Sequence, residues 1–294
     1  MKFLLTLFAY LFLSLNAYAQ DVSINHAGIK LHASFEKSEA GATGPVILMT
    51  HGTLAHNKME IMSTLQKLLR EQGISSLAIN LGLNINNRQG FYDCATPHTH
   101  RHTDALDEID LWLNWLEQQG VKEVVLLGHS RGGNQTAWFA AERDRKLISK
   151  VILIAPQTWS MAYAKETYKN SYNKELDPVL QQARKLIAGG KGKQAMNHID
   201  FIYCKDTTAT ADAVMSYHSD DPKLDTIYLL DKIKKPLLVF AATEDTVVKN
   251  LDTILPPLAE KQGFRLKVIE GADHSFRDLY ADELAENIVE FINE

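Results

Sequence analysis

Gly128-His129-Ser130-Arg131-Gly132-Gly133 follows directly on a short apolar run, Lys122 to Leu127, and precedes a helix-forming stretch, Asn134 to Arg145. A Gly-x-Ser-x-Gly sequence between a strand and a helix makes a turn so tight that a Cβ at its glycines would meet neighbouring backbone. The turn lifts the Ser130 hydroxyl clear of the sheet. It also sets the Arg131 amide at a helix N-terminus, where it can hold a developing oxyanion. A serine is a poor nucleophile until a base takes its proton, and the base needs a carboxylate to orient it. Both residue types lie downstream: Thr243-Glu244-Asp245-Thr246-Val247-Val248 offers the acid, and Glu270-Gly271-Ala272-Asp273-His274-Ser275-Phe276 offers the base. Each segment follows an apolar strand-like run, so each is expected in a loop at a strand's C-terminal end, where sites on parallel sheets sit.

A second oxyanion donor is expected just after another strand, Pro45 to Thr50, at His51-Gly52-Thr53-Leu54. Ser130 in its GHSRGG turn, His51-Gly52, Asp245 and His274 in GADHSF together resemble the α/β-hydrolase superfamily, over essentially the whole chain beyond residue 19. The order serine, acid, histidine matches that family. The resemblance implies a Ser130-Asp245-His274 triad, the backbone amides of Thr53 and Arg131 as oxyanion hole, an acyl-serine intermediate and no cofactor. Glu244 is an alternative acid; the two-valine run after Asp245 resembles the family's acid loop and favours Asp245.

The elements that must position these residues alternate along the chain. Strand-like runs fall at Val22 to Phe35 (two short strands around His26-Ala27-Gly28), Pro45 to Thr50, Ser76 to Asn80, Lys122 to Leu127, Val151 to Ala155, Pro236 to Ala242 and Arg265 to Ile269. Between them, Met59 to Gln72 places apolar residues at helical spacing, as do Leu106, Ile109, Leu113 and Leu116. A last amphipathic helix covers about Ala281 to Ile292. This rhythm predicts an α/β fold: a mostly parallel central sheet with helices on both faces. The core is expected in two parts, residues 20–156 and 236–294. The polar stretch 157–235, rich in Tyr, Lys, Asn and Gln, breaks the rhythm and reads as an inserted helical cap. Its aromatics, Trp159, Tyr163, Tyr168, Tyr172, Phe201, Tyr203 and Tyr217, serve either as cap core or as the lining of an acyl pocket.

The loop after the strand at Ser76 to Asn80 carries Cys94 and the alternating His98, His100 and His102. The spacing is not a zinc pattern and no Cys-x-x-Cys accompanies it, so no metal is assigned. These three histidines, with His51 and His129, are candidates to line the substrate entrance. Cys94 and Cys204 are the only cysteines, and either a disulfide between loop and cap or two free thiols would be consistent with their positions.

Met1-Lys2, the apolar run Phe3 to Leu15 and Ala17-Tyr18-Ala19 read as a secretory signal peptide, residues 1–19, cut before Gln20. The run is too short for a membrane span, and nothing later in the sequence is long and apolar enough for one. The expectation is a periplasmic or secreted protein. With 31 basic against 36 acidic residues the chain has no footprint for nucleic acid. The expected function is an exported serine hydrolase acting on a small-molecule or lipid-like acyl substrate. Lysophospholipase, thioesterase and proline-type peptidase activities remain alternatives on the same fold. A non-catalytic binding protein is the alternative from another class. Composition and motifs are silent on oligomeric state.

Overall fold

The computed structural model describes residues 20–38, 44–143 and 145–294. The signal peptide expected at residues 1–19 lies outside the described residues. β1 (Gln20–His26) and β2 (Ile29–Glu36) form an antiparallel ribbon. Ala27 and Gly28 turn it with φ of 48° and 82°, the positive-φ pair that two-residue hairpins use. β2 lies antiparallel to β4 (Ser75–Asn80). From there the sheet is parallel, through β3 (Val46–Thr50), β5 (Val124–His129), β6 (Ile148–Ile154), β9 (Leu237–Ala242) and β10 (Arg265–Ile269). β3, β4, β5 and β9 are buried along their whole length, which is why β3, β5 and β9 read as near-continuous apolar runs and not as alternating ones.

Helices cover both faces. α1 (Glu60–Glu71) buries Ile61, Met62, Leu65 and Leu69 on one stripe and ends before Gly73, whose φ is 80°. α1 packs on α9 (Leu279–Asn293), while α2 (Asp104–Gln118) packs beside α3 (Arg131–Glu142). α8 (Leu251–Gln262) covers β9 and β10. The strand order β4-β3-β5 places the ends of β3 and β5 side by side, with crossovers leaving in opposite directions. A crevice opens at such a reversal. The register pairs Thr50 with Gly128, so His51-Gly52 emerges directly beside His129-Ser130.

The segment between β6 and β9 is not all helical. It holds α4 (Met161–Tyr172), α5 (Asp177–Ala188), an antiparallel hairpin of β7 (Ala195–Phe201) and β8 (Cys204–Thr210), then α6 (Ala211–His218) and the short α7 (Thr226–Leu229). The hairpin corrects the expectation of a helical cap. Its two-residue turn is Ile202-Tyr203, at φ of 40° and 72°, where hairpins usually carry Asn or Gly. That turn has no signal in the sequence, so nothing there marks the strands around it. The cap has its own apolar core, with Leu176, Leu180, Met196, Phe201, Val214 and Tyr217 at its centre.

Cys94 and Cys204 form a disulfide, with Cα atoms 5.3 Å apart and 110 positions apart in the chain. Around it the His98 amide donates to Thr208, the Thr210 amide donates to the His98 carbonyl, and the Thr207 hydroxyl donates to the Cys94 carbonyl. The histidine loop and the cap hairpin are thus one stapled unit. A loop this long removes much chain entropy from the unfolded state, up to about 4.7 kcal/mol in the entropic account. Replacing both cysteines with serine is expected to lower stability by up to that amount in urea denaturation. Unchanged stability would show that the staple contributes nothing beyond its neighbouring hydrogen bonds.

Candidate active site

Ser130 sits at the junction of β5 and α3 with φ 58° and ψ −124°. A non-glycine residue at positive φ costs of order 1–3 kcal/mol and persists only where its surroundings hold it. Here its amide donates to the Ile154 carbonyl, and its carbonyl accepts from the Asn134 and Gln157 amides. A Cβ on Gly128 would lie 2.4 Å from the Gly132 carbonyl oxygen, and one on Gly132 would lie 2.3 Å from that of His51. Both glycines of the motif are therefore required by backbone approach. A Cβ on Gly52 would come within 3.1 Å of the Ser130 Cβ, which measures how closely the β3 loop passes the serine.

Asp245 lies in the loop after β9 and is buried, while Glu244 is exposed. The Asp245 Oδ1 accepts the Val247 and Val248 amides, each at 2.8 Å. Its Oδ2 is 2.7 Å from Nδ1 of His274, in the loop after β10. Asp273 instead accepts the Ser275 amide and faces solvent. The His274 ring rests 4.7 Å from that of His129, the residue before Ser130, and His129 Nε2 donates to the His274 carbonyl at 2.9 Å. Serine turn, histidine and aspartate thus converge from the ends of β5, β10 and β9. Among the described residues no acceptor takes the amide of Thr53 or of Arg131. The two residues are tied together instead through their side chains, with Arg131 Nε donating to Thr53 Oγ1 at 2.9 Å.

A cavity of about 840 Å³, counting open space at its mouth, lies over Ser130. Trp159, Tyr163, Tyr168, Tyr172, Tyr203 and Tyr217 line it, whereas Phe201 belongs to the cap core. The strained hairpin tip Ile202-Tyr203 forms part of its wall. His218, at the end of α6, also lines it, a position with no signal in the sequence.

None of the five histidines expected at the entrance lines this cavity; all are buried beneath it. His51 is turned back into the β3–β4 side of the sheet, where its Nε2 accepts the Leu81 amide and faces Arg88 at 3.2 Å. His98 Nδ1 pairs with His100 Nε2 at 3.2 Å, and His100 Nδ1 with the Tyr217 hydroxyl at 2.8 Å. His102 Nε2 donates to Asn134 Oδ1 and its Nδ1 faces Arg131. The cap covers the loop: His98 packs on Phe201, and His100 and His102 pack on Tyr217. Sequence alternation could not reveal this, because a loop need not point alternate residues the same way. Among the described residues no group of three or more His, Cys, Asp or Glu is placed to hold a metal ion.

Burial, more than any neighbour, holds these rings neutral. It pulls the pKa of His51, His100, His102 and His129 down to about 3 and that of His98 to about 4. His218 is likewise held near 3, with Arg131 adding to the effect. The unfolded chain takes up protons near pH 6.5 that the folded chain refuses, so their contribution to stability is complete above pH 6.5 and is lost as pH falls toward 3–4. Glu108 runs the other way. Burial pushes its carboxyl up to about 8, so folded protein keeps a proton that unfolded protein has released, and stability declines as pH rises from the usual carboxylate range through 8. Six groups outweigh one below pH 6.5. Melting temperature is therefore expected to peak near neutrality and fall steeply toward pH 5. A melting temperature that holds steady or rises over that acid range would contradict the buried neutral histidines.

A sequence profile described as the alpha/beta hydrolase family matches residues 47–287. No curated protein matches the chain in sequence. Similar solved structures include Est1E of Butyrivibrio proteoclasticus, determined with ferulic acid bound. It shares 19% identity over 92% of this chain and 98% of its own, at a TM-score of 0.65. The alpha/beta hydrolase GrgF from Penicillium sp. sh18 shares 15% over 94% and 98%, at 0.66. The Pyrococcus furiosus esterase Pf2001 shares 15% over 98% and 96%, at 0.59. At these identities the likeness is one of fold.

Proposed function

The chain belongs to the alpha/beta hydrolase family, and from that premise we propose that it is an exported serine hydrolase cleaving carboxylic esters through Ser130, His274 and Asp245. One observation carries the reading: Asp245 Oδ2 meets His274 Nδ1 at 2.7 Å in loops that converge on the strained Ser130 turn. In this mechanism Ser130 Oγ attacks the ester carbonyl while His274 Nε2 takes its proton. The resulting oxyanion accepts the amides of Thr53 and Arg131, a hole whose donors each contribute about 2.7–4 kcal/mol in comparable enzymes. His274 returns the proton to the departing alkoxide, leaving an ester on Ser130. Water, deprotonated by His274, then releases the acid and restores the serine. Asp245 keeps the His274 proton on Nδ1, so that Nε2 is free to act as base.

The fold supports hydrolysis, and one neighbour of that fold is described as an esterase. Export is supported by the residue 1–19 pattern and by the Cys94–Cys204 disulfide, which suits an oxidising compartment. No helix among the described residues is long and apolar enough to cross a membrane. A short-chain nitrophenyl ester assay tests the proposal: wild type should turn the ester over and Ser130→Ala should not. Equal turnover by the two proteins would end it.

A further inference from the structure

Arg131 is the only charged side chain among the described residues that line the cavity over Ser130. Its guanidinium is anchored on three sides. Nε donates to Thr53 Oγ1 at 2.9 Å, Nη1 faces His102 Nδ1 at 3.4 Å, and the plane lies 4.9 Å from the centre of the Tyr217 ring. Among the described residues no carboxylate pairs with it, and its Nη2 has no hydrogen-bond partner. The ionisable groups that bear on it are phenols, Tyr217 and Tyr203, and burial pushes the Tyr217 phenol well above its ordinary value. His102, His100 and His218, the imidazoles packed nearby, are held neutral as well.

An uncompensated guanidinium in an aromatic-walled cavity is costly, since a buried charge ordinarily finds a partner. Arg131 follows Ser130 in the chain and lines the same cavity, with its Nε fixed on Thr53 Oγ1. A planar fork of this kind matches a carboxylate. We propose that Arg131 reads an anionic group on the substrate, so that the preferred esters carry a carboxylate close to the scissile bond and pack their apolar part against the cap tyrosines. The inference rests on the serine-hydrolase reading and narrows its substrate class.

Arg131 also ties the serine turn to Thr53, so a loss of activity on substitution would not by itself separate anion recognition from positioning. The charge preference does. Two matched pairs serve as probes. In the first the charge is on the acyl side: an aryl monoester of glutaric acid against the same aryl ester with its free carboxyl methylated. In the second it is on the leaving group: the butyrate ester of 3-hydroxybenzoate against that of methyl 3-hydroxybenzoate. Wild type is expected to favour the charged member of at least one pair by tenfold or more in kcat/KM, carried mainly in KM, and the favoured pair tells which side of the bond faces Arg131. Arg131→Gln should bring that ratio close to one, and Arg131→Lys should keep part of it. A positioning role alone would lower both members of a pair equally and leave the ratio unchanged. Ser130-dependent turnover with no charge preference in either pair would overturn the anion proposal and leave the hydrolase reading standing. Absence of Ser130-dependent turnover of every ester would overturn both.

Discussion

Ser130→Ala is expected to reduce kcat/KM for an ester by about 10⁴- to 10⁶-fold while leaving the protein folded. Removing the nucleophile of a serine triad abolishes the acyl-enzyme route, and only the residual acceleration from the oxyanion hole and binding survives. At about 1.4 kcal/mol per decade, the loss corresponds to roughly 5–8 kcal/mol of transition-state stabilisation. No fold defect should accompany it. The side chain makes no hydrogen bond that holds the turn together; the backbone bonds to Ile154, Asn134 and Gln157 do that. Alanine at φ 58° is no more strained than serine, so melting temperature should hold or rise slightly. A Ser130→Ala protein that keeps its activity, or loses it only by unfolding, would contradict the assignment.

Asp245→Asn is the second large effect, expected at about 10⁴-fold in kcat. The reason lies in how the carboxylate is held. Oδ1 accepts two backbone amides, from Val247 and Val248, so an asparagine must put its own oxygen there. Its NH2 then faces His274 Nδ1 at the position now occupied by Oδ2. A donor at that place forces Nδ1 to accept, and the ring proton moves to Nε2. The histidine is then in the wrong tautomer to take a proton from Ser130. Because the loop keeps both its amide bonds, thermal stability should change little while turnover collapses. Loss of activity below tenfold would mean that Asp245 does not orient the base.

The turn that carries Ser130 is legible in the sequence for a physical reason. Gly128 and Gly132 are demanded by backbone contacts, and a strand-turn-helix context around a serine leaves few other uses for such a turn. Continuous apolar runs such as Val46 to Thr50 and Val124 to Leu127 announce buried parallel strands, and parallel topology brings their C-terminal loops together. The cap was less readable. Its hairpin turns on Ile202-Tyr203, a pair that normally argues for strand interior and not for a turn. The histidine loop is not legible, because alternation has directional meaning in a strand and none in a loop; His98 and His100 satisfy one another and Tyr217 instead of lining the cavity over Ser130. Arg131 carried no signal beyond its backbone role. It occupies a variable place in the motif, and its significance comes from Tyr217 and Thr53, 86 positions downstream and 78 upstream in the chain.

The most direct measurement is covalent labelling of the folded protein with a fluorophosphonate, followed by peptide mapping in a mass spectrometer. A fluorophosphonate forms a bond only with a serine that an adjacent base has activated, so it reports the working constellation and not merely the presence of its residues. One adduct per chain on the peptide containing Ser130, abolished by His274→Ala, is the expected result. An unlabelled folded protein, or an adduct on a different serine, would contradict the account.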